Sequence, residues 1–173
     1  MYTIRCTRKL LRALKLPLTA DEERTTTALG DWYANLIYFG KLRLVHFLSD
    51  RSLLSVIIPL KPGRTAFDRH RLALAQLLGG LQILPAIIEA ELAEMAAYSV
   101  APTASRSVLG SMRTLSLDTK WIIQSRPEAT FDQISLELAG VPCLTLPTHF
   151  PDKTAKELLE QRHPNHSSHV RSA

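Results

Sequence analysis

Hydrophobic residues are densest between Leu29 and Leu60, and their pattern predicts three consecutive antiparallel strands. The first run, Asp31 to Phe39, is rich in aromatic and branched residues, which suit a pleated, half-buried surface. The second and third runs are Leu42 to Leu48 and Leu53 to Ile58. Gly40-Lys41 separates the first two, and a glycine at the first position of a two-residue loop favours a type II′ hairpin turn. The segment therefore predicts a strand meander.

Most of the remaining chain shows the spacing of three and four residues that is typical of amphipathic helices. Two short stretches alternate instead and predict further strands. The predicted elements outside the meander are a strand over Tyr2 to Cys6, helices over Arg8 to Lys15 and Ala66 to Leu78, a helix starting at Pro85, a strand over Tyr98 to Ala101, and helices over Arg106 to Gln124, Phe131 to about Gly140 and Asp152 to Gln161.

Glycines give two further expectations about the helices. Gly79-Gly80 follows an apolar helical stretch and is expected to end that helix, since glycine is common just after a helix C-terminus. Gly110 lies inside the predicted helix that starts at Arg106, where glycine costs about 1 kcal/mol relative to alanine. We therefore expect Gly110 to pack closely against another backbone.

Together these elements predict one α+β domain over residues 1–162. The expected sheet is mostly antiparallel and contains the N-terminal strand and the meander, with helices packed mainly on one face. A chain of 173 residues is long enough to bury about 70% of its unfolded surface in one domain. Residues 163–173 are polar and poor in apolar side chains, and we expect them to form a disordered tail.

Composition narrows the class of protein. Hydrophobic residues make up 46% of the chain, as in soluble globular proteins. No apolar run approaches the ~20 residues that a membrane helix needs, so no membrane association is expected. Cys6 and Cys143 are far apart in the sequence, which argues against a disulfide scaffold or a zinc site. A reducing cytoplasm is the expected compartment.

The charge distribution is uneven, although the net charge is only +5. The first sixteen residues contain five bases and no acid. Bases on one face of the first helix could contact phosphates in a salt-sensitive manner that does not depend on sequence. The alternative is that they form the solvated face of a surface helix. The candidate phosphate-contacting residues are Arg8, Lys9, Arg12 and Lys15.

Two polar residues stand among apolar neighbours in the meander, and each has two interpretations. In the first, Asn35 binds backbone at a sheet edge and His46 points to solvent. This interpretation is the ordinary one, because polar groups in sheets are usually satisfied by hydrogen bonds and have no further function. In the second, Asp31, Trp32 and Asn35 form a recognition surface, since aromatic and amide groups together bind flat or polar ligands.

No local motif indicates catalysis, and no cofactor is expected. The sequence contains no nucleophile-elbow serine, no neighbouring cysteine and histidine, and no phosphate-binding glycine loop. His163, His166 and His169 recur every three residues in the polar tail, but imidazoles on an unstructured segment make a weak metal site. No metal site is therefore predicted. An enzyme remains the alternative, with a dispersed polar site around Asp31, Asn35 and Arg106.

Four blocks of the sequence carry a family resemblance: Thr3 to Leu11, Thr27 to Leu36, Arg106 to Met112 and Phe150 to Asp152. They resemble a bacterial family of small proteins known only as a domain of unknown function. The resemblance extends from the start of the chain to about Leu159. The family pattern has asparagine where this chain has Ser105, and an amide or acidic pair where it has Arg113-Thr114.

The resemblance implies a bacterial cytoplasmic protein and brings no substrate, cofactor or partner with it. Our leading hypothesis is a non-catalytic binding or regulatory module with a protein or nucleic-acid partner. It depends on the basic first helix and on the lack of a catalytic motif. The candidate binding residues are Asp31, Trp32, Asn35, Arg106 and Ser107.

Overall fold

The structure, a computed structural model, describes residues 1–19 and 25–164 of the chain. These residues form an α+β fold around one five-stranded sheet, in which the strand order is β4-β3-β2-β1-β5. The strands are β1 (Tyr2–Cys6), β2 (Trp32–Phe39), β3 (Leu42–Ser49), β4 (Ser55–Pro59) and β5 (Tyr98–Pro102).

The meander is confirmed as β2, β3 and β4, which pair antiparallel in that order. Phe39 pairs with Leu42, so Gly40 and Lys41 alone form the loop between β2 and β3. Gly40 has a φ of +54°, the left-handed conformation that the first position of this turn requires. The hairpin register therefore follows from the glycine, as predicted.

The expectation of a mostly antiparallel sheet is wrong, because β1 pairs parallel with both of its neighbours. Ile4 lies opposite Trp32 of β2, and Tyr2 lies opposite Tyr98 of β5. Helical segments separate β1 from β2 and β4 from β5 in the chain. A helical crossover is the usual way to bring the chain back for a parallel pairing. The sheet is therefore mixed.

Six α-helices accompany the sheet within the described residues, and two of them begin with a side-chain cap. The side chain of Ser105 accepts a hydrogen bond from the N–H of Val108 (3.3 Å) at the start of α4. Thr130 and Gln133 form a capping box at the start of α5. The helices are α1 (Arg8–Leu14), α2 (Ala66–Gly80), α3 (Pro85–Glu94), α4 (Arg106–Ser125), α5 (Phe131–Ala139) and α6 (Pro151–Arg162).

One expectation about the helical glycines is confirmed and the other is wrong. Helix α2 ends at Gly80, although both glycines belong to its last turn and the left-handed residue is Gln82, where φ is 60°. A side chain at Gly110 would meet no atom within 4 Å. Gly110 lies on the exposed face of α4, so no neighbouring backbone requires a glycine there.

Helices cover both faces of the sheet, so the expectation of helices mainly on one face is also wrong. Trp32 and Leu36 point into a core shared with α1, α2, α3 and α6. Tyr33 and Ile37 point into a second core shared with α4 and α5. Apolar residues at both sets of alternate positions are typical of a strand that is buried on both sides.

The structure describes only part of the predicted domain and of the predicted tail. Helix α6 ends at Arg162, and His163 and Pro164 follow it. Positions 165–173, which make up most of the predicted tail, lie outside the described residues, as do positions 20–24.

Candidate functional site

Helix α1 places the predicted bases on the outside of the molecule. Its Leu10 is fully buried against the sheet. Arg8, Lys9, Arg12 and Lys15 are all exposed. Lys15 adopts a φ of 51°, and its N–H donates to the carbonyl of Leu11, which ends the helix after two turns. The helix therefore presents a basic outer face above one apolar anchor.

Asn35 holds the start of this helix to the sheet. Its Oδ1 accepts a hydrogen bond from the Thr7 hydroxyl (3.0 Å), and the Thr7 N–H donates to the carbonyl of Ala34 (3.0 Å). The Thr7 side chain does not cap the helix in the usual way. Asn35 lies on an interior strand, so the interpretation of Asn35 as an edge residue bonded to backbone is wrong. It positions α1 instead.

The β2–β3 hairpin extends the basic face. The Nζ atom of Lys9 lies 4.2 Å from the centre of the Tyr38 ring, and the Arg43 guanidinium lies 5.9 Å from it. Tyr38 is 44% exposed, and Lys41 at the tip of the hairpin is exposed as well. Two cations therefore lie within cation–π distance of a half-exposed aromatic ring.

The segment after β4 completes this surface. A methyl group on Gly63 would lie 2.8 Å from the Leu14 Cδ2 atom of α1. The N–H of Leu60 donates to the carbonyl of Arg43 (2.8 Å), and Lys61 beside it is exposed. The end of α1, the start of β3 and the segment after β4 are therefore neighbours.

These three parts of the chain carry positive charge alone. Residues 1–19, 32–49 and 55–65 contain nine Lys and Arg residues and no Asp or Glu. Because the acids of the chain lie elsewhere in the sequence, the bases here are not neutralised from within their own segments. We call the exposed set the basic surface: Arg8, Lys9, Arg12, Lys15, Lys41, Arg43 and Lys61, with Tyr38 among them.

The sequence predicted Asp31 and Trp32 as binding residues, but in the structure both side chains contact other parts of the protein. The Asp31 carboxylate accepts from the N–H of Thr3 (3.1 Å), from Nε of Arg5 (2.9 Å) and from the Thr25 hydroxyl. Trp32 is 0% exposed and lies in the core on the opposite face from α4. The structure therefore does not bring these two side chains together on an exposed surface.

Arg106 and Ser107 lie at the exposed start of α4. The N–H of Ser105 donates to the Tyr33 hydroxyl (2.9 Å), which holds this helix start against β2. Ser107 lines a small cleft beside Asp50. Asp31, Trp32, Asn35 and Arg106 do not line that cleft, and the structure distributes the predicted set over several places.

His46 was only partly understood from the sequence. It is 0% exposed, so the interpretation in which it points to solvent is wrong. Its Nδ1 lies 3.0 Å from the Ser116 hydroxyl of α4, and its Nε2 lies 2.9 Å from the Ser55 hydroxyl of β4. Burial lowers the pKa of His46 to about 3. The neutral ring links a helix to the sheet.

Sequence reasoning missed His70, which sits among aromatic rings in the other core. Its ring is stacked on Phe47 (4.2 Å between centroids) and meets Trp32 edge-on (4.5 Å). Within residues 1–19 and 25–164, neither His70 nitrogen has a hydrogen-bond partner, and the same holds for the Tyr2 hydroxyl and the Trp32 Nε1 atom. A helical histidine next to apolar positions was the only signal available.

The described residues contain no cluster of metal ligands and no membrane helix. No three histidine, cysteine, aspartate or glutamate side chains gather there in a way that would hold a metal ion. None of the helices in residues 1–19 and 25–164 combines the length and the apolar composition that crossing a bilayer demands.

Comparison with known proteins identifies the family. The family model of a domain of unknown function, DUF6933, matches residues 3–154. The chain belongs to this family. No curated protein and no solved structure matches it. The match covers α1, the hairpin and the segment after β4, so every residue of the basic surface lies within the family domain.

Proposed function

We propose that this DUF6933 protein is a non-catalytic binding module whose basic surface binds the phosphates of a nucleic acid. The observation behind the proposal is that three segments that are neighbours in the fold carry seven exposed bases, and none of these segments contains an Asp or Glu residue. Contacts between such bases and phosphates release counterions, which makes the affinity strongly dependent on salt.

Tyr38 supports a single-stranded target. Its ring is 44% exposed, and the centre of the ring lies 4.2 Å from the Lys9 Nζ atom and 5.9 Å from the Arg43 guanidinium. Single-stranded nucleic acids are commonly bound by basic surfaces on which aromatic side chains stack with bases. Stacking of this kind tolerates any base, so we expect little sequence preference.

The surroundings of Asp31, Asn35 and Arg106 support the alternative hypothesis of an enzyme less well than the binding module. Asp31 is occupied by Arg5 and Thr3, and Asn35 is bonded to Thr7. Arg106 is exposed at the start of α4. A dispersed catalytic site requires reacting groups held within hydrogen-bond reach of one substrate, and these three side chains have separate surroundings.

We also propose that the protein acts in the bacterial cytoplasm. Its two cysteines are free within the described structure, and Cys6 is buried. Free cysteines suit a reducing compartment. The resemblance of the sequence to a bacterial family points the same way.

Fluorescence anisotropy with labelled single-stranded RNA and duplex DNA tests the proposal. If the surface contacts six or more phosphates, raising the salt concentration from about 50 to about 200 mM should lower the affinity by about 10³-fold or more. Arg8→Glu with Arg12→Glu should abolish measurable binding at the higher salt. The matched control is Lys153→Glu with Lys156→Glu, which makes the same charge change at exposed positions of α6.

Two results would contradict the proposal. One is an affinity that does not change with salt, and the other is an equal loss of binding in both charge-reversed variants. A protein that binds acidic polypeptides but neither nucleic acid would point to a protein partner at the same surface. Tyr38→Ala should weaken single-stranded binding more than duplex binding, because only unpaired bases can stack on the ring.

A further inference from the structure

A small cleft lies between the β3–β4 turn and the first turns of α4. Its volume is about 170 Å³, and four apolar side chains form part of its wall. The polar groups that line it are Asp50 and Arg51 from the turn, Ser107 and Ser111 from α4, and Thr145 from the segment between α5 and α6. Three parts of the chain that are distant in sequence therefore direct polar side chains into one space.

Gly30 determines the position of the Asp50 carboxyl group. The N–H of Asp50 donates to the carbonyl of Asp31 (2.9 Å). A methyl group on Gly30 would overlap Asp50 Oδ1, and Gly30 has a φ of +80° that other residues rarely adopt. The carboxyl group can therefore lie directly against the backbone only because residue 30 is glycine.

The Asp50 carboxyl group is incompletely satisfied by the protein. Its Oδ1 atom is buried and has no hydrogen-bond partner among the described residues. The neighbouring Arg51 guanidinium is turned away, and its Nη1 donates to the carbonyls of Thr27 (3.5 Å) and Ala28 (3.4 Å). Because Oδ1 lies against Gly30, a ligand in the cleft would reach the carboxyl group through its other oxygen.

The surroundings of the Asp50 carboxyl group act on its pKa in both directions. Burial and the nearby Asp31 carboxylate raise the pKa to about 6, while Arg51, a hydrogen bond from the Asp31 backbone and Arg5 act in the opposite direction. Ser107, Ser111 and Thr145 add hydroxyls to the wall, and Asp50 and Arg51 are its charged residues within the described part of the chain. A ligand in the cleft would therefore meet one carboxylate and several hydroxyl oxygens.

We propose that this cleft binds a small ligand that carries a protonated amine, with its ammonium group donating to Asp50 and to the serine and threonine hydroxyls. An ammonium group supplies the hydrogen-bond donors that a carboxylate and hydroxyl oxygens accept. The cleft is smaller than the ~300–1,000 Å³ of pockets for drug-sized ligands, so the ligand has few heavy atoms.

A bare metal ion fits this cleft less well than an ammonium group. Hard cations such as Ca²⁺ take about six to eight oxygen ligands, usually with several carboxylates. Among the described residues, Asp50 is the only carboxylate that lines the cleft. The proposal is independent of the basic surface, which lies on other segments, so either proposal can fail without the other.

Titration of isotope-labelled protein with propylammonium, followed by amide NMR, tests the proposal. We expect saturable shifts at Ser107, Ser111 and Thr145, and no comparable shifts with the neutral isostere 1-propanol. Asp50→Asn should abolish the response, whereas Asp68→Asn, at an exposed carboxylate of α2, should leave it unchanged. The affinity should fall about tenfold from about pH 7.5 to about pH 5, as the Asp50 carboxylate becomes protonated.

A second variant keeps the test decisive if Asp50→Asn does not fold. Ser107→Leu changes an exposed position at the mouth of the cleft and should block propylammonium by filling the space. Shifts of equal size with 1-propanol would overturn the proposal, as would shifts that persist in Ser107→Leu or that do not saturate. A response confined to the exposed acids of other helices would overturn it as well.

Discussion

Two fully buried histidines lie on opposite faces of the sheet, and their surroundings differ completely. His46 of β3 has a hydroxyl partner at each ring nitrogen, Ser116 at 3.0 Å and Ser55 at 2.9 Å. His70 of α2 has no hydrogen-bond partner and is stacked on Phe47. Both side chains are 0% exposed, so the degree of burial does not distinguish them.

The difference shows that the two faces of the sheet use the same side chain for different purposes. On the α4 face, His46 is a polar link between three elements. On the α2 face, His70 fills an aromatic core, and the stabilising contribution comes from ring contacts. Removing a hydrogen-bonded partner leaves other groups unpaired, whereas removing an unpaired group does not.

Acid should have the largest effect, because it acts on both histidines at once. Burial lowers the pKa of each ring to about 3, and Arg71 contributes at His70. The unfolded rings titrate near pH 6.5, so the unfolded state binds more protons below that pH and stability falls as the pH falls. Below about pH 6.5, each histidine lowers the free energy of unfolding by roughly 1.4 kcal/mol per pH unit. The loss for both histidines together reaches roughly 4 kcal/mol by about pH 5. Denaturant unfolding over a pH series measures this loss.

The control for this prediction separates the histidine contribution to the pH dependence of stability from that of other groups. The raised pKa of Asp50 has the opposite sign, because protonation of that carboxyl group in the folded state offsets part of the acid loss. Comparison of wild type with His70→Phe cancels this offset. The variant should lose about half of the histidine-dependent slope, and identical pH profiles would contradict the prediction.

Replacement of each histidine by phenylalanine should give unequal losses. His46→Phe leaves the Ser55 and Ser116 hydroxyls without their partner and should lower the free energy of unfolding by roughly 2–4 kcal/mol. His70→Phe removes two unpaired nitrogens from an aromatic core and should change it by less than about 1 kcal/mol. Denaturant unfolding at neutral pH measures both.

The two variants serve as controls for each other, since each exchanges one buried imidazole for one buried phenyl ring. Equal losses would show that ring size, and not hydrogen bonding, decides the outcome at both positions. A larger loss for His70→Phe would mean that its nitrogens have partners in solution, and the contrast between the two faces would then disappear.

Hydroxyl removal should give the smallest effects and the same contrast. Ser55→Ala leaves His46 Nε2 without a partner and should cost about 1 kcal/mol or slightly more. Tyr2→Phe removes a buried hydroxyl that has no partner and should be neutral or slightly stabilising. Thermal unfolding of both variants measures the difference. A clear loss of stability in Tyr2→Phe would contradict the unpartnered state of that hydroxyl.

The meander could be predicted because its signals are local. Gly40 has the left-handed φ that the loop needs, and the alternation of apolar residues defines β2. The parallel partners of β1 could not be predicted, because they depend on how helical crossovers place β2 and β5. The apolar residues on both faces of β2, such as Trp32 and Tyr33, fit helices on both sides, but the sequence prediction placed the helices mainly on one face.

The functional features were less accessible to sequence reasoning. The four bases of α1 were recognised, but Lys41, Arg43 and Lys61 join them only through tertiary packing. The partner of His46 on α4 lies 70 residues away in the sequence. Asp50 was seen only as part of a turn, because its unpaired oxygen and its contact with Gly30 arise from the folded backbone.

The shortness of α1 has a consequence for the basic surface. A helix of seven residues is far below the ~12–15 residues at which isolated helices become even marginally stable in water. Its charges are therefore arranged by the sheet, through Leu10 and the bond between Thr7 and Asn35. Excised from the domain, this stretch would be an unstructured basic peptide, so the spacing of its bases is a property of the whole fold.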